Sequence, residues 1–279
     1  MRIRMPLFQF SYGGKEFIFS EHYSLEKFDA NRDIPDNVKS SLSSSDVSYL
    51  FQEDWALVAT NPSDYFKSEV NMLLISLRIY AKSNAFIKWR FCEEDSRYST
   101  CLNDRFRNLL SQADSDVTEE TLYVVKNRFL EIMEMYSVSD RTKNALYFIW
   151  RGLCAEKHID AYIFFVCALE SLFSKETSEE GTKTIIKRIY KFLSEIKGFG
   201  GDQIKNIYKM RSDMVHGRIS HTDKGNSGKR KNNLKNLGKL EELVFVCMNK
   251  ILTEKTYLLY GNVDKKETFF NDLTKARVQ

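Results

Sequence analysis

Hydrophobic positions along this chain keep one period near the start and another from about residue 118 onward. Leu7-Phe8-Gln9-Phe10-Ser11-Tyr12 and Glu16-Phe17-Ile18-Phe19 flank Gly13-Gly14. Two short apolar runs around paired glycines predict a β-hairpin. Residues 31–48 are polar and serine-rich and read as loop, whereas Trp55-Ala56-Leu57-Val58-Ala59 reads as a strand. Val70, Leu73, Leu74, Leu77 and Tyr80 recur at helical spacing, so a helix is expected from Pro62, at its first turn, to Ala81. Phe86-Ile87-Lys88-Trp89-Arg90-Phe91 alternates as a strand does, and residues 92–116 are polar without a clear period.

From Thr118 the spacing is helical throughout. A first helix carries Leu122, Val125, Phe129, Ile132 and Met133 on one face. Ser139-Asp140 caps a second, with Ala145, Phe148, Ile149 and Leu153 inward. The stretch from Asp160 to Ser174 is apolar on nearly every side, as a central buried helix is. Thr182 to Ile196, Asp202 to His216 and Leu234 to Leu252 complete the set, with a basic, Gly/Asn-rich loop expected over 221–233. The chain therefore reads as mostly α, α+β overall. A β-rich N-terminal region with one or two helices (1–117) precedes a bundle of about five helices (118–279).

Charge changes this picture more than composition does. The 279 residues carry a net charge of +4, but residues 181–279 hold 21 of the 42 Lys and Arg and only 10 of the 38 Asp and Glu. A basic end suits either a solvated surface or an anionic partner, nucleic acid first among them. The five cysteines (Cys92, Cys101, Cys154, Cys167, Cys247) lack metal-ligand spacing. Three of them lie in apolar runs and read as small core residues of a reduced, cytoplasmic protein. The first residues lack the apolar core of a signal peptide, and the longest apolar run, Ala161 to Leu169, is too short to span a bilayer.

The candidate chemistry sits in Met210-Arg211-Ser212-Asp213-Met214-Val215-His216-Gly217. At about 100° per residue Arg211 falls between Ile204, Ile207, Tyr208 and Val215, in the middle of the expected buried stripe. His216 falls off that stripe, in the last turn, where Gly217 lets the chain turn away in a left-handed conformation. Glu170 shares a side of its apolar helix with Ile159, Ile163, Val166 and Phe173. Two stripe charges of opposite sign predict a buried Arg211–Glu170 pair, either structural or turned toward an anion. By spacing alone, Arg-x4-His is weakly specific.

Tyr208-x-x-Arg211-Ser212-x-x-Val215-His216-Gly217 resembles the signature helix of HEPN domains, above all the Apea-like branch. Ala168-Leu169-Glu170-Ser171-Leu172-Phe173 resembles the buried helix that precedes it in the family. Lys187-Arg188-Ile189-Tyr190-Lys191-Phe192-Leu193 follows at matching distance, and the resemblance covers residues 138–255. HEPN domains are small helical bundles that usually dimerise. Many are metal-independent endoribonucleases in which Arg and His of both protomers line one cleft. The resemblance implies catalytic roles for Arg211 and His216. It implies supporting roles for Glu170, Ser212, Asp213, Arg188 and Tyr208, with Ser212 standing where strongly toxic members more often carry Asn, Asp or His.

The implied activity is RNA cleavage by 2′-hydroxyl attack, leaving 2′,3′-cyclic phosphate and 5′-hydroxyl ends, in bacterial defence or stress response. No cofactor or metal is called for. Lys224, Lys229, Arg230 and Lys231 are the expected contacts to the RNA backbone. Expected partners are RNA, a second copy of the chain through the HEPN-like bundle, and an antitoxin or regulatory protein, with no membrane. The alternative is a non-catalytic HEPN module that binds RNA, nucleotide or a protein.

Overall fold

A computed structural model of the protein describes residues 1–94, 97–100, 116–175, 181–218 and 227–275. The chain is mostly α with a small antiparallel sheet near its start. It divides into two compact units, Met1–Leu130 and Glu131–Gln279. Among the described residues no helix is long and apolar enough to cross a membrane.

The first unit is built on β1 (Arg2–Phe8), which pairs antiparallel with β4 (Trp55–Thr60) on one side. On its other side lie β5 (Phe86–Ile87) and β6 (Trp89–Cys92). Outward of β4 come β3 (Tyr23–Lys27) and β2 (Phe17–Ile18), and outward of β6 comes β7 (Tyr98–Thr100). The hairpin expected around Gly13-Gly14 does not form. β2 pairs with β3 in the register Phe17↔Leu25, not with β1. β1 ends where Gln9 takes a positive φ of 56°. The chain then leaves the ladder, and the Tyr12 carbonyl accepts the Trp55 indole N–H at 2.9 Å. The paired glycines thus serve a loop fastened to a strand, which composition does not distinguish from a hairpin turn.

Residues 31–48, expected as loop, fold into the short helices α1 (Ala30–Asp33), α2 (Asp36–Lys39) and α3 (Ser44–Leu50). Asp29 and Ser43 cap the first and third through their side chains. Ile34, Val38 and Leu50 from this polar-looking segment join Phe8, Ala56, Val58, Trp89 and Phe91 in one buried cluster. Three or four apolar residues, well spaced, are enough to hold one-turn helices on a sheet, and serine content hides them. α4 (Phe66–Tyr80) begins a turn later than expected, leaving Pro62 outside it, and buries Val70, Leu73, Leu74 and Leu77. The expected strand over 86–91 is two short strands interrupted at Lys88.

Just after α3, half-buried Glu53 lies beside Asp54, and burial followed by that like charge pushes its carboxyl up to about 7. The folded state therefore binds a proton more readily than the unfolded chain, and stability from this group is lost as pH rises from the ordinary carboxylate range through about 7. Melting curves between pH 5 and pH 8 test this. Wild type should lose more thermal stability over that interval than Glu53→Gln, and equal losses would refute it.

α5 (Glu119–Val138) begins in the first unit and ends in the second. The second unit continues with α6 (Asp140–Cys154), α7 (His158–Phe173), α8 (Thr182–Phe192), α9 (Gly201–Val215), α10 (Ser227–Thr253), a 3₁₀ turn (Thr256–Gly261) and α11 (Val263–Lys275). Ser139 caps α6, as its sequence predicts, and does so in a capping box with Thr142. α7 is the centre, with α6, α8, α9 and α10 packed around it. Ala161, Tyr162, Phe165, Val166, Ala168, Leu169, Leu172 and Phe173 are all fully buried. The basic loop expected over 221–233 is overturned from Ser227 on, where α10 has already begun. The lysines of this segment are good helix formers, so the helix extends upstream of its expected start at Leu234.

Candidate functional site

The motif helix is held in register by α7. Tyr162 on α7 donates its hydroxyl to the Ile207 carbonyl of α9 at 2.9 Å. Ile207 lies one turn before Arg211, so this buried bond sets α9 against the helix that carries Glu170. The Arg211 Nη2 atom lies 3.8 Å from Glu170 Oε2. The predicted pair therefore forms, but not as a buried one, since the two side chains keep 37% and 29% of their exposure. Arg211 sits at the edge of the stripe, not in its middle. Its Nε is buried without a hydrogen-bond partner while the tip reaches the surface. A long cationic side chain lays its stem on apolar neighbours and keeps its head near water, which an ideal helical wheel does not represent.

Burial raises the Glu170 carboxyl pKa, and Arg211 partly offsets the rise. Cys167, one turn earlier on α7, is raised mainly by burial. Tyr208 is almost wholly buried on the other side of the pair. Its hydroxyl has no hydrogen-bond partner among the described residues, and burial first, then Glu170, hold its pKa well above the ordinary value. Glu170, Tyr208 and Arg211 are thus brought together between α7 and α9.

The end of α9 is closed by a paired backbone device. Gly217, at φ 70°, sends its N–H to the Met214 carbonyl at 3.1 Å, and the Arg218 N–H reaches the Asp213 carbonyl at 2.8 Å. These are the two bonds of a Schellman stop, and they require a left-handed residue where glycine stands. His216 is the C-cap, exposed, and its ring has no hydrogen bond or ion pair among the described residues. Asp213 is committed to Arg218 at 3.0 Å. Ser212 is half-buried, and its carbonyl accepts the His216 N–H at 3.0 Å.

Arg188 is not drawn into this cluster. It is 1% exposed, donates to Glu267 Oε2 at 2.5 Å and to the Phe173 carbonyl at 3.1 Å, and lies 5.0 Å from the Phe270 ring centroid. Two of those three partners belong to α11, a helix that sequence reading did not anticipate. Lys224 lies outside the described residues, while Lys229, Arg230 and Lys231 fall in the first turns of α10. Of the cysteines read as core residues, only Cys247 is buried; Cys154 and Cys167 are half-buried. Among the described residues no group of three His, Cys, Asp or Glu side chains is placed to hold a metal ion.

On the outer side of Glu170 an open groove of 390 Å³ runs between α6 and α7, past Cys167 and Asn144 to Phe148. Arg141 closes one end by donating to the carbonyls of Ser171, Ser174 and Lys175, the last turn of α7 and beyond. Phe148 was expected to point inward. It is half-buried and stacks on Phe164 at 6.4 Å, with Tyr147 edge-on at 5.5 Å. Sequence reading missed this groove. The available signal was two adjacent aromatics on α6, of which only one can lie on a helix's buried face.

Comparison with protein-family models, curated proteins and solved structures found no match to this chain.

Proposed function

We propose that the protein is a metal-independent endoribonuclease of the HEPN type. It acts as a homodimer in the cytoplasm, in bacterial defence or stress response, with an antitoxin or regulatory protein as its control. One observation carries the reading. Arg211 keeps its guanidinium at the protein surface, only loosely neutralised by Glu170 at 3.8 Å, and the same helix ends on His216, exposed and without a ring partner among the described residues. An arginine tied down for structure alone would be buried and closely paired, as Arg188 is.

In this mechanism the ribose 2′-hydroxyl attacks the neighbouring phosphorus while the P–O5′ bond breaks. Imidazole accepts the 2′-hydroxyl proton, and a protonated imidazole returns one to the departing 5′-oxygen. Arg211 stabilises the charge that grows on the phosphorane oxygens through paired hydrogen bonds. Glu170 orients the guanidinium, and Tyr208 walls the cluster from the core side. Ser212 and Asp213 set the turn that presents His216. Lys224, Lys229, Arg230 and Lys231 supply a basic segment for the RNA backbone.

Incubating the purified chain with RNA in EDTA tests the reading. The expected products end in 2′,3′-cyclic phosphate and 5′-hydroxyl groups; 5′-phosphate ends, or cleavage that EDTA abolishes, would reject it. The second reading, a non-catalytic module for RNA, nucleotide or a protein, draws on the same ion pair. It predicts salt-dependent RNA binding without product ends.

A further inference from the structure

The groove between α6 and α7 has a chemistry that a phosphate-binding surface would not have. Its one arginine, Arg141, is spent on backbone carbonyls and on the Ser174 hydroxyl. The Ser171 hydroxyl is spent on the Cys167 carbonyl. What remains for a ligand is the Glu170 carboxylate, the exposed Asn144 amide and the Phe148 ring. A carboxylate only accepts hydrogen bonds and repels phosphate, so it selects a partner with a donor edge.

We infer that this groove seats an unpaired guanine of the RNA, its ring on Phe148 and its donor edge on Glu170. The inference rests on the reading of RNA as the ligand of this face. Guanine presents N1–H and an N2 amino group side by side on its Watson–Crick edge, and this pair of adjacent donors matches a carboxylate. Unpaired bases in RNA are recognised in this way, by stacking on an aromatic side chain and by hydrogen bonds along that edge. Phe148 is braced for stacking from behind by Phe164 and edge-on by Tyr147, and the Arg151 guanidinium lies 5.3 Å from the Phe164 centroid. The open groove offers 390 Å³. Arg211 at 3.8 Å tempers the carboxylate charge, and a base on Glu170 brings its own ribose and phosphate beside Arg211. Glu170 then reads the nucleotide at which the chain is cut.

The test measures binding of uncleavable single-stranded oligoribonucleotides, 2′-fluoro at every residue, by fluorescence anisotropy with the full chain. Four probes carry G, A, C or U at one central position, and a fifth carries inosine, which lacks the N2 amino group. The G probe should bind about tenfold tighter than the other three, a usual margin for a paired base contact, with inosine in between. Glu170→Gln, which keeps size and packing, should level the four bases. Phe148→Leu should weaken all probes together. Equal binding, no binding, or a G preference that survives Glu170→Gln overturns the proposal. So does a Phe148→Leu variant that binds RNA as wild type does but shifts the monomer–dimer equilibrium in sedimentation, because a second copy then covers the groove. If the G preference holds while ordinary RNA is left uncut, the guanine site stands and the ribonuclease reading falls.

Discussion

On the proposed ribonuclease reading, Arg211→Ala is expected to lower RNA cleavage about 10²–10³-fold, the usual loss when one donor to a developing oxyanion is removed. His216→Ala lowers it about 10²–10⁴-fold, as expected for a group that moves protons in the transition state. Arg211→Lys recovers little of the first loss. Lysine keeps the charge but presents one ammonium in place of the planar fork that meets two phosphorane oxygens. The measurement is initial rate on a labelled RNA in EDTA, beside thermal melts. His216 is exposed and its ring has no partner among the described residues, so His216→Ala should melt as wild type does. Arg211→Ala leaves Glu170 half-buried beside Tyr208 with its ion pair gone, so some loss of stability is expected there. A wild-type rate in either folded variant would remove the residue it replaces from the chemistry.

Glu267→Ala destabilises the second unit by about 3–5 kcal/mol, the range for breaking a buried ion pair by removing one partner. Glu267 meets Arg188 at 2.5 Å and Lys266 at 3.5 Å, and both cations are 1% exposed. Removing the carboxylate leaves two buried positive charges without it. Urea unfolding of the full chain reads the effect. The double variant Arg188→Met, Glu267→Gln should be less damaged than Glu267→Ala, because it removes a buried charge together with its partner. The pair is of interest for function as well. Arg188 matches a position that the family resemblance marks as supporting, yet its contacts lie with Phe173, Glu267 and Phe270. Variants of Arg188 should therefore lose activity in step with stability. A folded, stable Arg188 variant with lost cleavage would place it in the chemistry instead.

The contrast between Arg188 and Arg211 shows how far a helical wheel carries. Both arginines lie on amphipathic helices, and the wheel puts Arg211 in the middle of its stripe. One is closely paired in the interior and the other reaches the surface. The difference lies in what packs opposite. α11 delivers a carboxylate to Arg188, while Arg211 faces the edge of α7, where Glu170 is itself half open to solvent. Periodicity was enough to suggest Glu170 as the partner of Arg211, but not how exposed that pair is, nor that a carboxylate on α11 meets Arg188. The same holds for the first unit. Trp55–Thr60 was legible as a strand, but its neighbours on both sides were decided by long-range pairing, and the apparent hairpin at Gly13-Gly14 dissolved.

Local interactions are what the sequence by itself determined. These are the helical run from Glu119, the Ser139 cap, the central apolar helix around Phe165, and the glycine stop that holds His216 at the end of α9. Each depends on residues within a few positions of one another, so spacing and residue type suffice. Tertiary structure alone decided that the expected Arg211–Glu170 pair lies half in solvent, that Arg188 is claimed by α11, and that Phe148 lines an open groove. Those outcomes depend on which helix fills the space across from a given side chain, and that choice is made by the packing of the whole unit.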